Sequence, residues 1–271
     1  MSKIKDMRGR FGFHNLPFTR ELRVEERFEL PFFEDALEAL HQTIEALMSA
    51  ALIAPAGTGK TALLRALQAR LPPARYDVHY VKVTNLSKRD MCREIADCVG
   101  ARPAASYPML VRRLQERFTD ASDNDGLRPV LLIDEAHDMR PDVLSMLRIL
   151  TNFDMDSRLV LGVVIAGQTP LRTMLRRDDI QDLARRLAHV AVLRTLAKDE
   201  SHAYITHRCH IAGSHSVPFS PQAMEALYEI ARGNLRATDQ LALKTLDVAH
   251  RQSDDVASPN HVAQARQLLW P

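Results

Sequence analysis

The chain has 271 residues, 46% of them apolar, and a formal net charge of +2. That is enough apolar chain for one large domain or two modest ones with a real core. So balanced a charge excludes a polyanion partner held by bulk charge, and any nucleic-acid surface has to be a local patch. Arginine greatly outnumbers lysine, which suits bidentate phosphate recognition and is equally explained by coding bias.

Cys92, Cys98 and Cys209 show no paired spacing, which fits a reducing compartment. The N-terminal "MSKIKDMRGR" is charged and leads into no apolar core, so it does not read as a signal peptide. The longest apolar runs, such as "LVLGVVIA" at 159–166, are too short to cross a bilayer. The expectation is a soluble, cytoplasmic protein with no membrane part.

Along the chain, five apolar, partly β-branched runs stand out: "AALIA" (50–54), "YDVHYVKVT" (76–84), "PVLLID" (129–134), "RLVLGVVIA" (158–166) and "HVAVL" (189–193). Continuous apolar runs predict strands buried on both faces, as in a parallel sheet. Helical patterns lie between them at 61–71, at 88–99 behind a Ser87 cap with Asp90 in the first turn, at 107–118 and at 141–153. Strand and helix in alternation predict a doubly wound α/β domain. After Leu193 strand-like runs stop and four helices follow: 199–212 closed by Gly213, one opened by Ser220 and Pro221, 235–251, and one opened by Ser258 and Pro259.

The stretch "LIAPAGTGKTALL" (52–64) sits between a strand and a helix, the context a phosphate-binding loop requires. Gly57 and Gly59 let the backbone approach phosphates and aim N–H groups inward, and the helix start adds its positive dipole end. Lys60 supplies a point charge to the β- and γ-phosphates, and the Thr61 hydroxyl is a magnesium ligand. The predicted nucleotide-binding residues are Pro55, Ala56, Gly57, Thr58, Gly59, Lys60, Thr61 and Ala62. Ala54 stands where the pattern has its first glycine; alanine makes the turn if φ stays negative, and Pro55 favours an extended Ala54. Further on, "VLLIDEAHD" places Asp134 and Glu135 at the carboxyl end of a strand, where open α/β sheets bind ligands. Asp134 is expected to hold Mg²⁺ and Glu135 to deprotonate the attacking water.

With these motifs the chain resembles the AAA+ ATPases. Within them it is most similar to the group of DNA-transposition helpers (TniB/TnsC type) and the ATPase domain of general secretion pathway protein A. The likeness includes "FGFHNLPF", "GTGKT", "LLIDEAHDM", "IAGQTPLRTML", "LARRL", "YITHR" and "ARGNLRATDQL". The resemblance implies a P-loop NTPase fold: a five-stranded parallel sheet with helices on both faces (1–195), then a small all-helical lid (196–271). It implies that residues 1–20, with "NLPF", lie near the adenine. It implies that Gln168 is the γ-phosphate sensor, that Arg186 or its neighbour Arg185 is an arginine finger, and that Arg236 reaches the phosphates as a second sensor. Ordinary readings stay open: Arg185 and Arg186 as a solvated helix end, Gln168 as a strand cap, and Arg236 paired with Asp239.

The resemblance further implies ATP and Mg²⁺ as cofactors and an ATP-dependent homo-oligomer. The secretion-pathway proteins continue into a membrane span and a cell-wall-binding region, whereas this sequence, to Pro271, has neither. A stand-alone protein of this size looks more like a transposition helper that binds DNA and serves a transposase. Lys88 and Arg89 open the helix after the second strand, where positive charge opposes the dipole. Backbone phosphates of DNA are one reason for such a placement; a solvated face is another. The alternative reading is an ATPase acting on a protein partner without DNA.

Overall fold

In the computed structural model, which describes residues 2–83 and 85–270, each of the five apolar runs contributes a strand. They are β1 (Ser49–Ile53), β2 (Tyr76–Lys82), β3 (Arg128–Asp134), β4 (Gly162–Gly167) and β5 (Leu187–Val192). The expected end of the second strand, Thr84, lies outside the described residues. The helices are α1 (Ser2–Phe11), α2 (Pro31–Glu45), α3 (Lys60–Arg70), α4 (Lys88–Val99), α5 (Tyr107–Asp123), α6 (Pro141–Leu150), α7 (Thr169–Met174), α8 (Gln181–Ala184), α9 (Lys198–Ile211), α10 (Pro221–Ala231), α11 (Leu235–Arg251) and α12 (Pro259–Leu269). The chain divides into two units, Pro31–Ala56 with Lys60–Leu193, and Met1–Leu30 with Gly57–Gly59 and Arg194–Pro271. Among the described residues no helix is long and apolar enough to cross a membrane.

The first unit is built on one parallel sheet of order β2-β3-β4-β1-β5. Side chains alternate across a strand, so Leu131, Ile133, Val163 and Ile165 share one face, where they join the core of α4, α5 and α6. The alternate residues Val130, Leu132 and Val164 are also fully buried, so the sheet is covered on both sides, as its unbroken apolar strands require. Ser87 caps α4 by accepting the Asp90 N–H at 3.2 Å. Helix α2 was not expected, although Phe33, Leu37, Leu40 and Ile44 are buried at helical spacing.

The fourth strand begins four residues later than the apolar run that announced it. Asp154, Met155 and Asp156 all have left-handed φ (49°, 55° and 70°), and Phe153 and Arg158 form an isolated bridge across this turn. The Arg158 guanidinium is held by Asp123 and Ser122. Residues 158–161 therefore close a turn before the chain enters the sheet.

The second unit is helical. Phe11, Phe13 and Phe18 bury among Ile205, Leu227, Leu241 and Leu246, and Phe18 meets Phe219 edge-on at 6.2 Å between centroids. Arg208, 4% exposed, donates to the Thr19 carbonyl at 2.6 Å. Residues 1–30 thus belong with the C-terminal helices and not with the α/β unit to which the sequence reading assigned 1–20: three aromatic side chains find their burial there. Gly233 turns the chain into α11 with φ 70°, and a Cβ on it would sit 2.0 Å from the Leu196 carbonyl oxygen, so no larger residue fits.

Candidate functional site

In the α/β unit, Lys60 and Thr61 open α3, and Asp134 ends β3. Asp134 is 1% exposed; its two oxygens accept three hydrogen bonds and face the Lys60 ammonium as a fourth donor. Oδ2 accepts the Thr61 hydroxyl at 2.9 Å and the Tyr80 hydroxyl at 3.1 Å. Oδ1 accepts the Glu135 N–H at 2.8 Å and faces Lys60 Nζ at 3.3 Å. Lys60 also donates to Glu135 Oε1 at 3.0 Å, so one ammonium bridges both carboxylates. Burial and the Asp134 charge push the Tyr80 phenol up to about 12, which keeps it a proton donor. His137 Nδ1 lies 3.4 Å from Glu135 Oε2.

Glu135 itself is left-handed (φ 58°, ψ 31°), a conformation that costs a non-glycine residue about 1–3 kcal/mol and gathers at functional sites. A buried carboxylate beside a hydroxyl is an all-oxygen donor pair, the set a hard divalent cation takes. Two carboxylates against one lysine leave a negative charge uncompensated there. Thr61 and Asp134 therefore fit Mg²⁺, and Lys60 fits a phosphate oxygen.

The loop before α3 explains its missing glycine. Ala54 is not among the residues of positive φ, it is fully buried, and its N–H donates to the Gly167 carbonyl at 3.0 Å. Alanine is therefore compatible with this backbone. Gly57 differs: its φ is 76°, and a Cβ would fall 2.4 Å from Asn234 Oδ1. Gly57–Gly59 cluster with the helical unit, in which the Arg236 N–H donates to the Gly57 carbonyl at 3.1 Å. Asn234 caps α11 by accepting the Ala237 N–H at 3.1 Å.

The other expected residues fall as follows. Gln168 stands one residue past β4 and does not cap α7 with its side chain. Arg236 has no ion pair among the described residues; Asp239 instead accepts from the Tyr204 hydroxyl at 2.9 Å and faces Arg208 at 3.6 Å. Arg186 is engaged by Asp156 in a bidentate pair with both contacts at 2.6 Å, while Arg185 is exposed and donates to the Gln181 side-chain oxygen at 3.4 Å. Lys88 Nζ comes within 3.9 Å of Asp142, and Arg89 is exposed with no ion pair among the described residues. Sequence reasoning missed Tyr80, His137 and Asn234. Only His137, inside "DEAH", carried a local signal.

Residues 46–175 match a family model described as an AAA domain. The chain carries an AAA domain. General secretion pathway protein A of Aeromonas hydrophila is 31% identical over 195 residues, 71% of this chain and 35% of that protein. The chain thus spans about a third (35%) of the length of that curated relative. Among solved structures, CDC6P from Pyrobaculum aerophilum matches with a TM-score of 0.75 at 20% identity, covering 93% of this chain and 70% of that one. The Aeropyrum pernix ORC1 protein, solved in complex with DNA, matches at 0.67 and 18%, covering 93% and 68%. The Thermotoga maritima RuvB Holliday junction branch migration motor matches at 0.56 and 19%, covering 88% and 67%. At these identities the structures bear on the fold alone.

Restoring the first glycine is expected to harm the AAA domain. Ala54→Gly removes one buried methyl and adds backbone freedom, for a loss of about 1–2 kcal/mol in urea denaturation. Nucleotide affinity is expected to stay unchanged; a gain in either quantity would show that Ala54 strains the loop.

Proposed function

We propose that the AAA domain binds Mg·ATP and hydrolyses it to ADP and phosphate. The observation that carries this reading is the meeting of Lys60 and Thr61 with Asp134 and Glu135. Lys60 exchanges its carboxylate partners for the β- and γ-phosphates, while the N–H groups of residues 56–62 are aimed at them and Pro55, which has no N–H, shapes the loop. Thr61 and Asp134 hold Mg²⁺, which when bound withdraws charge from the phosphoryl oxygens. Glu135 orients the attacking water and takes its proton. Gln168 addresses the γ-phosphate, and Arg236, free of Asp239, serves as the second sensor that reaches the phosphates. Lys60→Ala is expected to abolish the heat of Mg·ATP binding, and Glu135→Gln to keep binding but lose turnover. A fully active Glu135→Gln protein removes Glu135 from the chemistry.

Hydrolysis is proposed to occur in an ATP-dependent homo-oligomer, with Arg186 acting across the contact on a neighbour's phosphoryl group. Its pair with Asp156 has to open first. Arg186→Ala is expected to lower assembled turnover by about 10³–10⁵-fold. Mixing it with Glu135→Gln subunits is expected to restore part of the activity, because each variant supplies what the other lacks. If Arg185→Ala alone gives that loss, the finger is its neighbour.

For what the energy serves, the reading retained is a DNA-bound helper for transposition, with Lys88 and Arg89 on the phosphate backbone. Its support is the exposed Arg89, without an ion pair among the described residues, beside Lys88. The relative from Aeromonas hydrophila supports the second reading, an ATPase acting on a protein partner without DNA. DNA binding that appears only with a slow ATP analogue favours the first. Replacing Lys88 and Arg89 by alanine is then expected to reduce the slope of log K against log salt by about 2. No ATP-dependent DNA binding at low salt leaves the protein-partner reading.

A further inference from the structure

Tyr80 lies on the edge strand β2, outside the phosphate loop and outside "DEAH". Its strand partner across the ladder is Leu132, and that of Lys82 is Asp134. Tyr80 therefore reaches Asp134 on the diagonal, a distance only a long side chain spans. Its hydroxyl donates to Asp134 Oδ2, the same oxygen that accepts from Thr61.

The four donors on Asp134 are not equivalent. On the Mg·ATP reading, which this inference deepens, Lys60 turns to phosphate and Thr61 turns its lone pairs to the cation. The donors that stay are the Glu135 N–H on Oδ1 and the Tyr80 hydroxyl on Oδ2. They grip the carboxylate from opposite oxygens and fix its plane. Without the phenol, Oδ2 loses its remaining protein donor, and the carboxylate can rotate about its last side-chain bond.

We propose that Tyr80 is a positioning residue for the cation site, holding Asp134 in the orientation that receives Mg²⁺ beside Thr61. It touches neither nucleotide nor water in this role. Hydrogen-bond partners of metal-site carboxylates typically change metal affinity by about 10–100-fold when removed, which sets the size of the effect.

The test compares wild-type protein with Tyr80→Phe, which keeps the ring of a residue 39% exposed and deletes only the hydroxyl. ADP binding is measured in EDTA, and Mn²⁺ is then titrated into the metal-free, ADP-saturated protein by electron paramagnetic resonance. The expected result is unchanged metal-free ADP affinity, Mn²⁺ affinity weaker by about 10-fold or more, and ATPase turnover recovered at high Mg²⁺. A role in general stability gives no recovery with Mg²⁺, so a turnover loss that excess Mg²⁺ leaves in place overturns the proposal. So does wild-type Mn²⁺ affinity in the variant. Wild-type protein that binds no nucleotide overturns the Mg·ATP reading together with this one, and wild-type that binds ADP but no Mn²⁺ overturns the cation site alone.

Discussion

A carboxylate shut away from water has to find hydrogen-bond donors inside the protein or give up its charge, because an unpaired buried ion costs several kcal/mol. Asp134 meets that demand with donors from three separate stretches: Lys60 and Thr61 at the start of α3, Tyr80 on β2, and the N–H of its own neighbour Glu135. The β2–β3 ladder and the placement of α3 are both conditions for this single charge to remain buried. On the proposed Mg·ATP reading, the local charges would couple metal to nucleotide. Asp134 and Glu135 bring two negative charges against Lys60, so a triphosphate arriving alone would meet a site that is already negative. On that reading, Thr61 and Asp134 would hold a divalent cation whose charge would reverse that balance.

The parts of this arrangement legible in the sequence are those with local causes. Apolar runs mark buried strands because parallel strands face a core on both sides. Ser87 and Ser220 mark helix starts because their hydroxyls satisfy N–H groups within three residues. Asp134 and Glu135 were readable because a strand end followed by acids is a local pattern. Tyr80 was not, since its role follows from the pairing register of two strands about fifty residues apart, and register is a property of the folded sheet. The docking of residues 11–19 with the C-terminal helices was hidden for a similar reason: three buried phenylalanines name a core without saying which one.

The phosphate loop shows why a motif position and a structural requirement are different things. Two of its small residues look equally diagnostic, yet the backbone treats them differently. Ala54 occupies a negative-φ position in contact with Gly167, which any small residue can adopt. Gly57 combines a left-handed φ with an Asn234 side chain where a Cβ would stand, and each condition alone would select glycine. The departure from the motif falls on the position where the fold tolerates it.

The pair between Arg186 and Asp156 can be weighed in the same way. Half-exposed pairs contribute about 0.2–1 kcal/mol, and good bidentate geometry places this one toward the upper end. Asp156 is carried on a turn whose three tip residues are all left-handed, with Met155 98% exposed. Aspartate tolerates that region through its short polar side chain, but methionine gains no such relief. A turn already under backbone strain adds little resistance to movement, so the hold on Arg186 is no stronger than the pair itself. On the proposed reading, a phosphoryl group, carrying more charge to the same guanidinium fork, would outcompete a single carboxylate that water already reaches. On that reading, a contact of this size would hold Arg186 until an assembled site offered it a phosphoryl group.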